Sequence, residues 1–155
     1  MEEKTNVMRI LDQKKIPYRS YCYTSTDAIS GAEVAEALKL DPRQVFKTLV
    51  TIGKSKKYYV FIIPVEAELN LKKAAEAAHE KSIEMIPMKE LLPLTGYVHG
   101  GCSPIGMKKA LPTFVDESAD KLETMIFSAG RIGYQVELRL EDLKKLIRLD
   151  VVPIC

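Results

Sequence analysis

Two neighbouring stretches narrow the choice of fold more than any other part of this 155-residue chain. Phe46-Lys47-Thr48-Leu49-Val50-Thr51-Ile52 and Tyr58-Tyr59-Val60-Phe61-Ile62-Ile63 are rich in β-branched and aromatic residues, with Gly53-Lys54-Ser55-Lys56-Lys57 between them. That pattern predicts a β-hairpin with a basic tip. The second strand is apolar on both faces, so it belongs inside a layered structure. The first strand alternates: Phe46 and Thr48 share one face, Lys47 and Leu49 the other.

The rest of the chain supplies helices to cover such a hairpin. Thr5 caps a first helix whose stripe is Val7, Ile10 and Leu11, and which ends before Ile16-Pro17. Tyr18 to Tyr23 alternates as a strand, with Tyr21 and Tyr23 on one face. Ser30-Gly31-Ala32-Glu33 has the form of a capping box, opening a helix that turns Val34, Ala35 and Leu38 inward. Asp41-Pro42 predicts a single short turn. Asn70 caps a helix over 71–78, with Leu71, Ala74, Ala75 and Ala78 on one side, and 82–86 reads as a short strand. Lys89 to Leu92 reads as a helical turn stopped by Pro93. Residues 113–115 and 125–128 read as strands, Tyr134 to Leu138 returns antiparallel after a turn at 129–133, and Leu140, Leu143, Leu146 and Ile147 mark a last helix. Hairpin signals outnumber βαβ spacings, so the expectation is one α/β domain, residues 1–155, with mixed or mostly antiparallel strands.

Bulk properties exclude several function classes. With 23 basic and 21 acidic residues the net charge is +2, which does not announce binding to a long DNA duplex. No apolar run approaches the length of a membrane span. The acidic start lacks the features of a signal peptide, and Cys22, Cys102 and Cys155 are too widely spaced for a disulfide framework or a metal site. A cytoplasmic protein with no metal and no cofactor is expected.

Candidate chemistry is concentrated in two places. Lys47 sits within an apolar strand: either it points into a covered cleft and needs an anion, carbonyl or phosphate, or it snorkels to water from a rim. Gly100-Gly101-Cys102-Ser103-Pro104-Ile105-Gly106 cannot form a regular helix or strand interior, and its main chain can approach a ligand closely. Cys102 invites a nucleophile reading, but the only histidines are His79 and His99, and neither is placed by spacing as its base. An inert loop cysteine is the alternative. Asp116 and Glu117 are adjacent in sequence and point apart if extended, so they make poor acid–base partners. The lysine pairs at 56–57, 72–73 and 108–109 are solvated surface, or together a weak basis for phosphate contacts along an RNA.

Val45-Phe46-Lys47-Thr48-Leu49, Leu69-Asn70-Leu71-Lys72-Lys73, Thr95-Gly96-Tyr97-Val98 running into the glycine loop, and Phe127-Ser128-Ala129-Gly130 occur in this order. Together they resemble the YbaK/EbsC family of aminoacyl-tRNA deacylases, related to the editing insertion domain of bacterial prolyl-tRNA synthetase. The likeness spans nearly the whole chain and is nearest to the YbaK type, which removes cysteine mischarged onto tRNA(Pro). The resemblance implies a curved mixed β-sheet, partly barrel-like, surrounded by helices. It implies Lys47 as the key catalytic or binding residue, and Gly100, Gly101, Cys102, Ser103 and Pro104 as the loop that positions the aminoacyl group. It places Tyr23, Ser128 and Gly130 around the pocket, and puts Gln135 where YbaK-type proteins carry an aspartate, which leaves the amino-acid preference open. A substrate-assisted reaction, in which the cysteine thiol attacks its own ester carbonyl, is implied, as are mischarged tRNA and prolyl-tRNA synthetase as partners. A deacylase for Ala-tRNA(Pro) and a non-catalytic module that binds tRNA or a synthetase are the alternatives.

Overall fold

The computed structural model describes residues 4–24, 28 and 31–155. Helix α1 (Asn6–Gln13) begins where the Thr5 hydroxyl accepts the Met8 N–H at 3.2 Å, and it buries Val7, Met8 and Leu11. Strand β1 (Arg19–Cys22) follows, then α2 (Gly31–Ala37), which buries Val34 and Ala35. Ser30 of the expected capping box lies outside the described residues. A turn at 42–44, closed by Gln44 N–H on the Asp41 carbonyl at 2.9 Å, leads into β2 (Phe46–Gly53) and β3 (Tyr58–Pro64). These two form the expected antiparallel hairpin, with Lys47 opposite Ile63.

Helix α3 (Leu71–Ala78) is capped by Asn70, whose side-chain oxygen accepts the N–H groups of Lys72 and Lys73, both at 3.1 Å. It buries Ala74, Ala75 and Ala78, whereas Leu71, expected on that face, is exposed at the helix start. Strand β4 (Ile83–Met85) leads to α4 (Met88–Thr95), which runs through Pro93 rather than stopping before it. Proline costs this helix one late N–H, while the Thr95 hydroxyl still donates to the Leu91 carbonyl at 2.7 Å and Gly96, at φ +85°, supplies the left-handed stop. Then come β5 (Thr113–Asp116), a 3-10 turn over Glu117–Lys121, β6 (Met125–Ser128), β7 (Tyr134–Leu138), α5 (Leu140–Leu146) and β8 (Leu149–Val152).

The mixed α/β architecture matches expectation, but the strands are shared between two sheets. One is antiparallel with order β1-β7-β6; the other has order β4-β2-β3-β5-β8, with β3–β5 and β5–β8 parallel. A single parallel bridge, Val45 to Ile126, joins them, reinforced by Ile126 N–H on the Gln44 carbonyl at 2.9 Å. The chain pairs β6 with β2 for this one step before β2 departs along β3, so the strands do not close into a barrel. Alternation along β2 and β3 then sorts the core. Phe46, Val50, Val60 and Ile62 meet Val7, Leu11, Phe127 and Val136 between the sheets. Tyr59, Phe61 and Ile63 face Phe114 and the alanines of α3 on the far side, where the Phe61 and Phe114 rings stack at 5.2 Å. The larger sheet is thus covered on both faces, as the apolar run of β3 requires.

Candidate active site

The two sheets and the glycine loop enclose a cavity of about 490 Å³. One wall is the run Val45 to Val50; the opposite wall is Ser128 of β6 and Gln135 of β7, paired in register, with Tyr23 beside them. His99, Gly100 and Cys102 close one side. The lip is apolar: Met85 and Met88 line the cavity while remaining 48% and 67% exposed.

Lys47 is half-buried on the cavity wall. No carboxylate forms an ion pair with it among the described residues. Among the described residues that line the cavity there is no aspartate or glutamate, and Lys47 carries the one full fixed charge. A lysine held at the edge of an apolar cleft without an anion is available for a carbonyl, a ribose oxygen or a phosphate.

Two polar atoms on the walls are buried without a partner: Oε1 of Gln135 and Oγ1 of Thr48. Buried polar atoms are normally satisfied, and leaving one unpaired costs about 1–3 kcal/mol. Both residues line the cavity, whose walls thus hold unmet hydrogen-bonding capacity. Thr48 is the residue that sequence reasoning missed. A threonine in a strand is ordinary, and the only available signal was its position beside Lys47 on the alternate face.

Cys102 is not poised as a nucleophile. It is 9% exposed, and burial pushes its thiol up to about 12. Such a thiol is protonated at neutral pH. The neighbouring Tyr97 hydroxyl is likewise raised to about 12, first by burial and then by the proximity of Cys102, and it donates to the Ile105 carbonyl. His79 is the left-handed C-cap of α3 and does not line the cavity.

The remaining expected residues divide by position. Tyr23, Lys47, Gly100, Cys102, Ser128 and Gln135 come together at the cavity; Gly101, Ser103, Pro104 and Gly130 are not among its lining residues. A Cβ on Gly101 would come within 3.1 Å of the Ile132 backbone nitrogen, so this glycine lets the loop pack against the 129–133 turn. Ser103 is fully buried and its hydroxyl accepts the Ile105 N–H at 3.3 Å. Gly130, at φ +90°, presses on α1: a Cβ there would lie 2.9 Å from both Tyr97 and Val7. Its N–H donates to Ser128 Oγ at 3.2 Å and so holds that side chain in place.

Residues 26–146 match the family model described as the aminoacyl-tRNA editing domain. The chain belongs to that family. Relatives of this editing domain include EbsC of Enterococcus faecalis, a candidate Cys-tRNA(Pro)/Cys-tRNA(Cys) deacylase, 45% identical over 94% of this chain and 89% of that protein. A proline–tRNA ligase of Shouchella clausii is 30% identical over 66% of this chain but only 18% of the ligase. Among solved structures, a candidate trans-editing enzyme for prolyl-tRNA synthetase superposes with a TM-score of 0.82 over 99% of this chain and 98% of that one, at 21% identity. That likeness carries the fold of the editing domain. No group of three or more metal-ligating side chains occurs among the described residues. No helix among them is long and apolar enough to cross a membrane.

Proposed function

We propose that this protein is a single editing domain, residues 1–155, that deacylates mischarged tRNA in trans in the cytoplasm, with Cys-tRNA(Pro) as its substrate. The observation that carries this reading is the cavity itself. Among the described residues it offers one unpaired cation, Lys47, two unsatisfied polar atoms and a protonated thiol, and no carboxylate lines it. Family membership and the name of the 45% identical relative point the same way.

With its cysteine thiol protonated, the site suits a substrate that carries its own nucleophile. The cysteine thiol attacks the ester carbonyl; a sulfur–carbon bond forms and the carbon–oxygen bond to the ribose breaks. The thiol proton ends on the ribose hydroxyl, and the cysteinyl group leaves as a cyclic thioester. The protein holds the attacking conformer and stabilises the developing oxyanion, with Lys47 and the main chain at Gly100 as donors. The apolar lip of Met85 and Met88 suits the terminal adenine, and prolyl-tRNA synthetase is the partner that would deliver the tRNA.

Gln135 supports a second reading, because an uncharged amide does not demand a cysteine: water would then attack the ester of Ala-tRNA(Pro), and alanine and the free ribose hydroxyl of the tRNA would result. The test is release of amino acid from Cys-tRNA(Pro) and Ala-tRNA(Pro), with and without the synthetase, by wild type and Lys47→Ala. Wild type releases cysteine first as the cyclic thioester, and Lys47→Ala slows release by about 10²-fold or more while remaining folded. An active Lys47→Ala protein would sink the assignment of Lys47. Binding of charged tRNA without release of any amino acid would mean a binding module.

A further inference from the structure

Strand β2 has a gap in its hydrogen-bonding edge, and the gap opens on the cavity. Val65 N–H donates to the Val45 carbonyl at 2.8 Å, so the odd-numbered residues of this stretch aim their main chain at β3. The even-numbered ones aim away. Consistent with this, the Gln44 carbonyl accepts Ile126 N–H at 2.9 Å, and the Val50 carbonyl accepts Ile86 N–H at 3.3 Å. Thr48 lies midway. The bridge to β6 is made at Val45, and β4 pairs only from Thr51 onward, so no described strand covers Thr48 on this side. Five successive residues, Phe46 to Val50, line the cavity although their side chains alternate between faces. That is the signature of a cavity running along a strand's edge.

We infer that the aminoacyl group docks in this gap as a one-residue β-strand, with its ammonium on the Thr48 carbonyl and its ester carbonyl on the Thr48 N–H. In an antiparallel ladder, a hydrogen-bonded pair exchanges both N–H···O bonds between two residues. An aminoacyl ester offers the same donor and acceptor on the same carbon spacing, and a single residue is all the gap admits. The Thr48 N–H then meets the carbonyl on which negative charge develops. Opposed side chains of such a pair lie on one face. The amino-acid side chain is therefore directed to the face that Thr48 shares with Phe46 and Val50. This rests on the aminoacyl group being the occupant of the cavity.

The test uses the intact protein and 3′-(L-cysteinylamino)-3′-deoxyadenosine, whose amide replaces the labile ester, followed by amide hydrogen exchange in NMR. Binding slows exchange of the Thr48 N–H by about 10-fold or more, as a newly hydrogen-bonded amide does. The analogue lacking the α-amino group binds at least about 10-fold more weakly, having lost a charge-assisted hydrogen bond. Shifts at Gly100 and Ser128 with unchanged exchange at Thr48 would overturn the docking mode and leave the site reading intact. A probe that perturbs no cavity residue would overturn both. Thr48→Pro provides a second check, because its missing N–H faces the gap and no β2–β3 bond is lost. It is expected to deacylate Cys-tRNA(Pro) about 10²-fold more slowly than Thr48→Val. Equal rates in the two folded variants would also overturn the inference.

Discussion

The state of the Cys102 thiol decides between protein-borne and substrate-borne nucleophiles, and it makes a quantitative prediction. Burial raises its pKa from 9.0 to about 12. At pH 8 an ordinary thiol is roughly 10% thiolate, whereas one titrating near 12 is about 0.01% thiolate, a difference of about 10³ in the reactive species. Iodoacetamide alkylation at pH 8, followed residue by residue by mass spectrometry, is therefore expected to label Cys102 about 10³-fold more slowly in the native protein than in urea. The same displacement couples to stability. The folded state favours the neutral thiol, so its contribution is complete below pH 9 and is lost as pH rises from 9 toward 12. At about 1.4 kcal/mol per pH unit, the loss is about 1.4 kcal/mol at pH 10 and at most about 4 kcal/mol near pH 12. Cys102→Ala, with no group to ionise, should lack this alkaline component in urea unfolding curves, and Cys102→Ser should keep deacylation within about threefold of wild type. Native Cys102 that alkylated as fast as in urea, together with an inactive but folded Cys102→Ser, would refute the reasoning and restore covalent catalysis.

Gln135→Leu removes a buried acceptor that has no partner in the protein. Thermal stability should hold or rise by up to about 1–3 kcal/mol, while kcat/KM for Cys-tRNA(Pro) falls by about 10-fold or more; a variant with lost stability and full activity would contradict the unsatisfied acceptor. Gly130→Ala places a Cβ 2.9 Å from Tyr97 and Val7 at a φ of +90°. Denaturant unfolding should show a loss of about 2–4 kcal/mol, and a loss under about 0.5 kcal/mol would mean that α1 yields without cost.

The hairpin, the Thr5 and Asn70 caps and the β6–β7 return were legible because each is encoded locally, by alternation or by one side chain at a helix start. Strand β8 was not. Leu149 to Val152 is short and interrupted by Asp150, and it is a strand because β5 lies parallel beside it, a neighbour more than thirty residues away. Pro93 was read as a stop on local grounds, yet Gly96 ends the helix. Of the residues singled out from the sequence, Lys47, and Gln135 and Ser128 through the family resemblance, line one cavity. The glycine-rich stretches carry a packing demand as well: Gly101 and Gly130 lie close against protein atoms and do not line the cavity. Thr48 could not be singled out, because an absent neighbour along a strand edge leaves no mark in the sequence.

The seam between the two sheets is narrow, a single bridge at Val45 with the Gln44 side chain donating to Thr124 Oγ1 at 2.8 Å. The cavity's opposing walls belong to different sheets: Val45 to Val50 on one side, Ser128 and Gln135 on the other. The spacing of the two walls is therefore tied to the packing at this seam and to the core that fills the space between the sheets. Gln44 and Thr124 thus bear on the width of the cavity without lining it.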